Sequence, residues 1–343
     1  MASLEQLHRM LSDAVDRQIF PGAVWAVGDA SRTLALGSVG VADPARPERL
    51  MTPETLFDLA SLTKIIATWA CVGTLWEQGR LTLDQPLADL LPITRGHQLA
   101  QVTVRQLLTH TSGVPPRAQL RPLYGDDPAA VRLGIAREPL HRPAGEAVQY
   151  TDRSAQLLAY VVEELSGQSL EACCQQWIWQ PLSMRHTRYG PLPEALAARC
   201  APTEFDPETG QHLCGRVHDF SARILGASCG ISGIFAPARD LGLFLRHLLH
   251  PTEGAGFGAA WTGESLQVQT GRLRPERGLF WHPAPGSLHE ADTWMHTGFT
   301  GTTFWVSPAQ DRWGVLLTNK LYYTRERPPI NHIRNAFRQV VFG

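Results

Sequence analysis

The chain has 343 residues, 43% of them hydrophobic and 18% charged, with a formal net charge of -1. That composition suits a globular protein of one large or two smaller domains, and its arginines are scattered rather than run together, which argues against nucleic acid as a partner. Glu5, Arg9, Asp13, Asp16 and Arg17 interrupt the first twenty or so residues, and the longest apolar run, 65–76, is too short to span a bilayer, so no secretory leader or membrane span is expected and a cytoplasmic location is.

Leu4, Leu7, Leu11, Val15 and Ile19 recur at helical spacing behind a candidate capping box of Ser3 with Gln6, and predict an amphipathic first helix ending before Pro21-Gly22. From Gly22 to Ala42 the chain turns to Val, Ala, Leu and Gly, broken at Asp29-Ala30-Ser31-Arg32, which predicts a β-hairpin. Thr55 to Asp58 leads into a helix from Ser61 to Trp76, with Gly79 placed to terminate it. From Leu83 to about residue 215, helical segments alternate with Pro- and Gly-rich turns, and no strand is predicted. Strands are predicted in Trp294–Phe304 and Trp313–Asn319 around a turn at Pro308-Ala309-Gln310-Asp311, and a closing helix over Asn331–Val341.

This order predicts an α+β fold: an antiparallel sheet flanked by helices, built from both chain ends, with an inserted all-α lobe. Residues 1–82 with 216–343 form the α/β lobe, and residues 83–215 the helical one. A cleft between them is a favoured place for a small-molecule site. The six cysteines include no Cys-x-x-Cys and are expected to be reduced and mostly buried, without disulfides or zinc.

Only Lys64 and Lys320 among the 31 basic Lys and Arg residues are lysines. Arginine cannot lose its proton in a protein, whereas a buried lysine can. Lys64 stands three residues after Ser61, on one helical face, so an amine lies beside a hydroxyl. A desolvated amine is one way of activating a serine nucleophile, and the pair points to acyl transfer. Such an enzyme needs a further acid-base group and N–H donors for the oxyanion. Tyr150, in Gln149-Tyr150-Thr151-Asp152 before a helix, is the candidate, although a tyrosine there also reads as a packing residue. Asp152 reads equally as that helix's N-cap. His296-Thr297-Gly298 opens the predicted strand, where Gly298 lets the backbone approach a ligand and a lone histidine also serves structurally.

Ser61-Leu62-Thr63-Lys64, Tyr150-Thr151-Asp152 and His296-Thr297-Gly298, in this order and at these separations, resemble the serine β-lactamase and penicillin-binding protein superfamily, closest to its class C and esterase-like branch. Leu56 to Lys64, Leu107 to Gly113 and His296 to Gly301 read as that family's phrases, and the resemblance extends over nearly the whole chain. It implies that Ser61 attacks an acyl carbon, that Lys64 and Tyr150 share the proton traffic, with Tyr150 as a phenolate held by Lys64 and His296 or as a relay, and that the oxyanion sits between the N–H groups of Ser61 and Phe299. Asp152, His296, Thr297, Gly298 and Phe299 would contact substrate. Asp152 replaces the usual Asn with an acceptor-only carboxylate, and His296 replaces the usual Lys with a partial cation. Both departures point away from β-lactams and peptide C-termini, toward a small ester or amide lacking a required carboxylate.

Three rivals compete with this reading. Gly226-Ala227-Ser228-Cys229-Gly230 matches the nucleophile elbow, which requires a strand before it and a helix directly after; a glycine-rich turn lining the cleft is the alternative. The same fold also serves as a non-catalytic binding or scaffolding module. A metal site at His247 and His250 lacks a third ligand at a motif spacing, and no cofactor is expected. Composition leaves the oligomeric state open, and the ten tryptophans are expected to line a broad cleft or an interface.

Overall fold

The computed structural model describes residues 2–116, 120–286 and 292–343, without the side chains of 2, 3 and 228. The Ser3 side chain of the expected capping box therefore lies outside the described residues. The first helix spans Ala2–Asp16. Eleven strands follow among the described residues: β1 Gly22–Gly28, β2 Thr33–Gly40, β3 Phe57–Asp58, β4 Arg188–Tyr189, β5 Phe205–Asp206, β6 Gln211–His212, β7 Ile234–Ala236, β8 His282–Pro283, β9 Trp294–Thr297, β10 Thr303–Ser307 and β11 Arg312–Thr318.

A six-stranded antiparallel sheet runs β2-β1-β11-β10-β9-β8. Its centre joins the two ends of the chain, with Ala23 opposite Thr318 and Gly28 opposite Trp313. The hairpin turn forms because Asp29 Oδ1 accepts from the N–H groups of Ser31 and Arg32, an Asx turn. β1 is buried on both faces. Val24 and Ala26 face the main core with Phe244 and Leu245, whereas Ala23, Trp25 and Val27 face the Ala2–Asp16 and Pro328–Phe342 helices, where Leu7, Leu11, Phe337 and Phe342 close a second core. The α+β architecture built from both ends is the one expected.

Several local expectations are corrected. The Ser61–Trp76 stretch is helical but not one α-helix: a 3-10 turn at Ala60–Leu62 passes into a π-helical stretch at Lys64–Trp69, and an α-helix spans Ala70–Glu77. Gly79 then takes the left-handed φ of +68°. The predicted strand 294–304 is split by a turn, because Gly298 N–H bonds back to Thr302 O at 2.7 Å, and His296 stands near the close of β9 rather than at its opening. Residues 83–215 are not entirely helical: they include β4, β5 and β6, two-residue strands too short to write a period of two into the sequence. β4 pairs with β7, which pairs with β3 immediately before Ser61. Six of the ten tryptophans are core rather than cleft: Trp69, Trp179, Trp261, Trp281, Trp305 and Trp313 are fully buried. All six cysteines are free thiols. Among the described residues, no helix is long and apolar enough to cross a membrane.

Candidate active site

The approach to Ser61 is fixed by polar backbone contacts. Leu59 N–H donates to Ile234 O at 2.9 Å, and Thr302 Oγ1 donates to Leu59 O at 2.9 Å, so this segment is held between β7 and the turn after β9. Ala60 adopts φ +48°, a conformation costly for a residue with a Cβ. The turn presents Ser61 at the edge of a cavity of about 430 Å³.

Lys64 lies beneath Ser61, fully buried. Its three ammonium donors find three acceptors: Ser61 Oγ at 3.1 Å, Ile231 O at 2.9 Å and Asp152 Oδ1 at 2.9 Å. Burial opposes the charge, but Asp152 and then Tyr150 outweigh it, and the pKa is raised above the ordinary lysine value. Lys64 is therefore an ammonium, not the neutral desolvated amine that the spacing suggested. The Asp152 carboxylate makes the difference.

The Tyr150 hydroxyl stands 3.0 Å from Ser61 Oγ on the other side. Its ring packs against His110 at 4.7 Å, and His110 stacks in turn on Phe280 at 5.2 Å. His110 is buried and kept below its usual pKa chiefly by burial, then by Arg277 and Lys64, so it braces Tyr150 as a neutral ring. Asp152 is not the N-cap: Thr151 is, its side chain accepting from Arg153 N–H, and Asp152 opens the Asp152–Ser166 helix. Asp152 is turned onto Lys64 and does not line the cavity.

His296, Thr297, Gly298 and Phe299 do line it. His296 is buried and its pKa is pushed well below the ordinary value by burial first, then by His282, Lys64, His110 and Arg277. The partial cation expected there is thus a neutral imidazole at neutral pH. Positive charge comes instead from residues that sequence reasoning did not single out. Arg277, Lys320, Arg327 and Arg334 line the cavity with Asn331 and Asn335, and no acidic side chain does among the described residues. Arg334 donates to Thr303 Oγ1 at 2.7 Å, Gly298 O at 2.9 Å, Thr302 O at 3.1 Å and Asn331 Oδ1 at 3.1 Å, all uncharged acceptors. Burial, and then Arg327, work against its charge. Lys320 is lowered to about 8 by burial and by Arg334, Arg327 and Arg325. The scarcity of lysine that singles out Lys64 singles out Lys320 too.

The rival motifs separate from this site. A helix Phe220–Leu225, not a strand, precedes Gly226–Ser228, which is a 3-10 turn, so the geometry of a nucleophile elbow is absent there. The turn serves the site differently, since Ile231 beyond it supplies the carbonyl for Lys64. Both His247 ring nitrogens are engaged, with Phe257 O at 2.8 Å and Thr252 N–H at 2.9 Å.

Comparison with known proteins places this geometry. The family model described as Beta-lactamase matches residues 7–337. A putative D-alanyl-D-alanine carboxypeptidase of Escherichia coli (strain K12) is 28% identical over 323 residues, covering 83% of this chain and 72% of that protein. An N-acetylmuramyl-L-alanine amidase of Bacillus subtilis (strain 168) is 27% identical, covering 91% and 80%. Among solved structures, EstCE1, described as a hydrolase with promiscuous acyltransferase activity, superposes with TM-score 0.78 at 20% identity over 99% of this chain and 98% of that one. A class C beta lactamase from Rhodobacter sphaeroides does so with TM-score 0.76 at 20% identity over 96% and 97%. These likenesses confirm the β-lactamase/transpeptidase fold, and the family match over nearly its whole length means that the chain belongs to the beta-lactamase family of serine hydrolases.

Proposed function

We propose that this protein is a serine hydrolase or acyltransferase that works through a Ser61 acyl-enzyme on a small ester or amide, closer to an esterase than to a β-lactamase. Ser61 Oγ bonds to the acyl carbon, and the bond to the leaving group breaks. Tyr150 relays the serine proton: its hydroxyl gives its own hydrogen to the leaving atom as it takes up the one from Ser61 Oγ, so it ends as it began. The Lys64 ammonium stays charged and holds Ser61 Oγ, and the backbone N–H groups of Ser61 and Phe299 receive the oxyanion. Water, or another nucleophile, then releases the acyl group. In this reading residues 1–82 with 216–343 and residues 83–215 act as two lobes, the first supplying Ser61 and Lys64 and the second Tyr150 and Asp152.

The observation that carries the proposal is one oxygen, Ser61 Oγ, within hydrogen-bond distance of both Lys64 Nζ and the Tyr150 hydroxyl at the mouth of a cavity. The esterase preference is supported by His296, neutral where the family pattern has a lysine, and by Asp152, committed to Lys64 where the pattern has an asparagine. A second reading, a DD-peptidase, is supported by the four cations lining the cavity, which suit a peptide carboxylate.

Ser61→Ala is expected to lower hydrolysis of a p-nitrophenyl ester about a thousandfold or more, whereas Ser228→Ala leaves it unchanged. Activity retained without Ser61 overturns the proposal. The mass gained by Ser61 from a panel of esters, D-amino-acid peptides and penicillins separates the two substrate readings, and no gain from any of them or from a fluorophosphonate identifies a binding module instead.

A further inference from the structure

Three residues before Ser61, Asp58 spends its whole carboxylate inside the protein. Oδ1 accepts from Ala60 N–H at 2.9 Å. Oδ2 accepts from the backbone N–H of His218 at 2.9 Å and faces its Nδ1 at 3.0 Å. Both residues are buried, at 1% and 4% exposure. Burial opposes each charge, but the partner outweighs it: Asp58 is held below its ordinary pKa and His218 above.

Two lines of contact carry this pair to the reacting groups. Ala60, whose N–H Asp58 holds, has the left-handed φ of +48° and directly precedes Ser61, so its conformation sets the direction of the Ser61 N–H. On the other side, the His218 ring stacks on Phe299, with centroids 6.0 Å apart and planes 22° apart. Thr300, the neighbour of Phe299, donates to Asp58 O at 2.7 Å. One ion pair therefore touches both segments that supply oxyanion donors.

We propose that Asp58 and His218 are positioning residues whose ion pair fixes the backbone donors of Ser61 and Phe299 and balances the charge behind them. The proposal rests on the Ser61 acyl-enzyme reading. A carboxylate buried close behind an oxyanion site disfavours the charge developing there unless a cation compensates it. Asp58 on β3 contacts the imidazole, and Asp219 beside His218 and Glu204 add to the negative field that favours its charge. Across the Phe299 ring lie Lys320 at 5.0 Å, Arg325 at 4.9 Å and Arg327 at 5.3 Å. With its pKa raised in the folded protein by Asp58, His218 supplies its charge below that value and withdraws it as pH rises through it, leaving the acidic side uncompensated.

The test is the rate at which a fluorophosphonate labels Ser61 as a function of pH, in the wild type, His218→Asn and His218→Ala, with thermal melting to show that each is folded. Asparagine keeps a donor near the Nδ1 position but carries no charge. His218→Asn is expected to label about tenfold more slowly than wild type at the low end of the pH range, where His218 is charged, less than the loss of a whole oxyanion donor. Its profile lacks the decline that His218 adds to the wild-type rate as pH rises, and His218→Ala is slower still. Lys320 also titrates, at about 8, so the difference between the wild-type and His218→Asn profiles is the readout. Coincident rates and profiles for those two proteins overturn the proposal, and His218→Asn decides alone if His218→Ala does not fold. Labelling that survives Ser61→Ala overturns the parent reading instead, so the two failures are distinguishable.

Discussion

At the scale of single residues, the state of Lys64 decides how the site works. A lysine with no exposure, donating to Ser61 Oγ, Ile231 O and Asp152 Oδ1, has its charge supported by geometry rather than removed by burial. Removing the carboxylate tests this directly. Asp152→Asn leaves a buried ammonium without its paired charge, and the expected cost is about 3 kcal/mol of folding stability at neutral pH. The sign with pH follows from the raised pKa. In the wild type the Lys64 contribution is complete below the ordinary value of 10.5 and is lost only as pH rises through the higher folded value. In the variant Lys64 is better accommodated neutral, so the gap in unfolding free energy narrows as pH climbs past 10.5. Denaturant titrations of both proteins at neutral and alkaline pH measure it. A gap that stays constant overturns the assignment of Lys64 as an ammonium held by Asp152.

At the scale of elements, the close approach of the turn after β9 to the Ser61 segment fixes how that strand sits beside Ser61. A Cβ on Gly298 would stand 2.0 Å from Thr302 Oγ1 and 2.5 Å from Leu59 O. Backbone cannot yield there without moving β9 away from the nucleophile. Gly298→Ala is therefore expected to cost about 1–3 kcal/mol and to slow Ser61 labelling at the same time. Gly79→Ala is the contrast: φ is +68° with nothing within 4 Å, so strain of about 1 kcal/mol appears in stability and labelling is unchanged. The two glycines also show what was legible. Gly79 reads from the sequence because a helix end is local. The role of Gly298 depends on Leu59, more than two hundred residues away, although its place in His296-Thr297-Gly298 marked it. The hairpin was legible because a run of Val, Ala, Leu and Gly is interrupted at Asp29, where the Asx turn forms. The π-helical stretch at Lys64–Trp69 was not, since its apolar residues would pack equally well in an α-helix.

At the scale of the whole molecule, a formal net charge of -1 conceals a cavity that is locally cationic. That concentration was illegible because Arg277 comes from the segment before β8, Lys320 from the turn after β11, and Arg327 and Arg334 from the start of the last helix and one turn or more into it. Only the closure of the sheet from both chain ends brings them to Ser61, whereas Lys64 and Tyr150, both within hydrogen-bond distance of Ser61 Oγ, were singled out by spacing and resemblance. The cations bear on substrate choice, because arginines facing a cavity without acidic neighbours raise the local concentration of anions. Between two p-nitrophenyl esters of similar size, one ending in a carboxylate and one in an amide, the carboxylate is expected to show a kcat/KM about tenfold higher at low ionic strength, about 1.4 kcal/mol. Added salt should narrow the ratio as the Debye length contracts. It should narrow again as pH rises past about 8, where Lys320 loses its proton. Arg277→Gln should reduce the ratio through KM for the anionic ester while leaving the neutral one unchanged. Equal rates for both esters, independent of salt, assign these cations to the protein's own architecture and return the substrate to a neutral ester or amide.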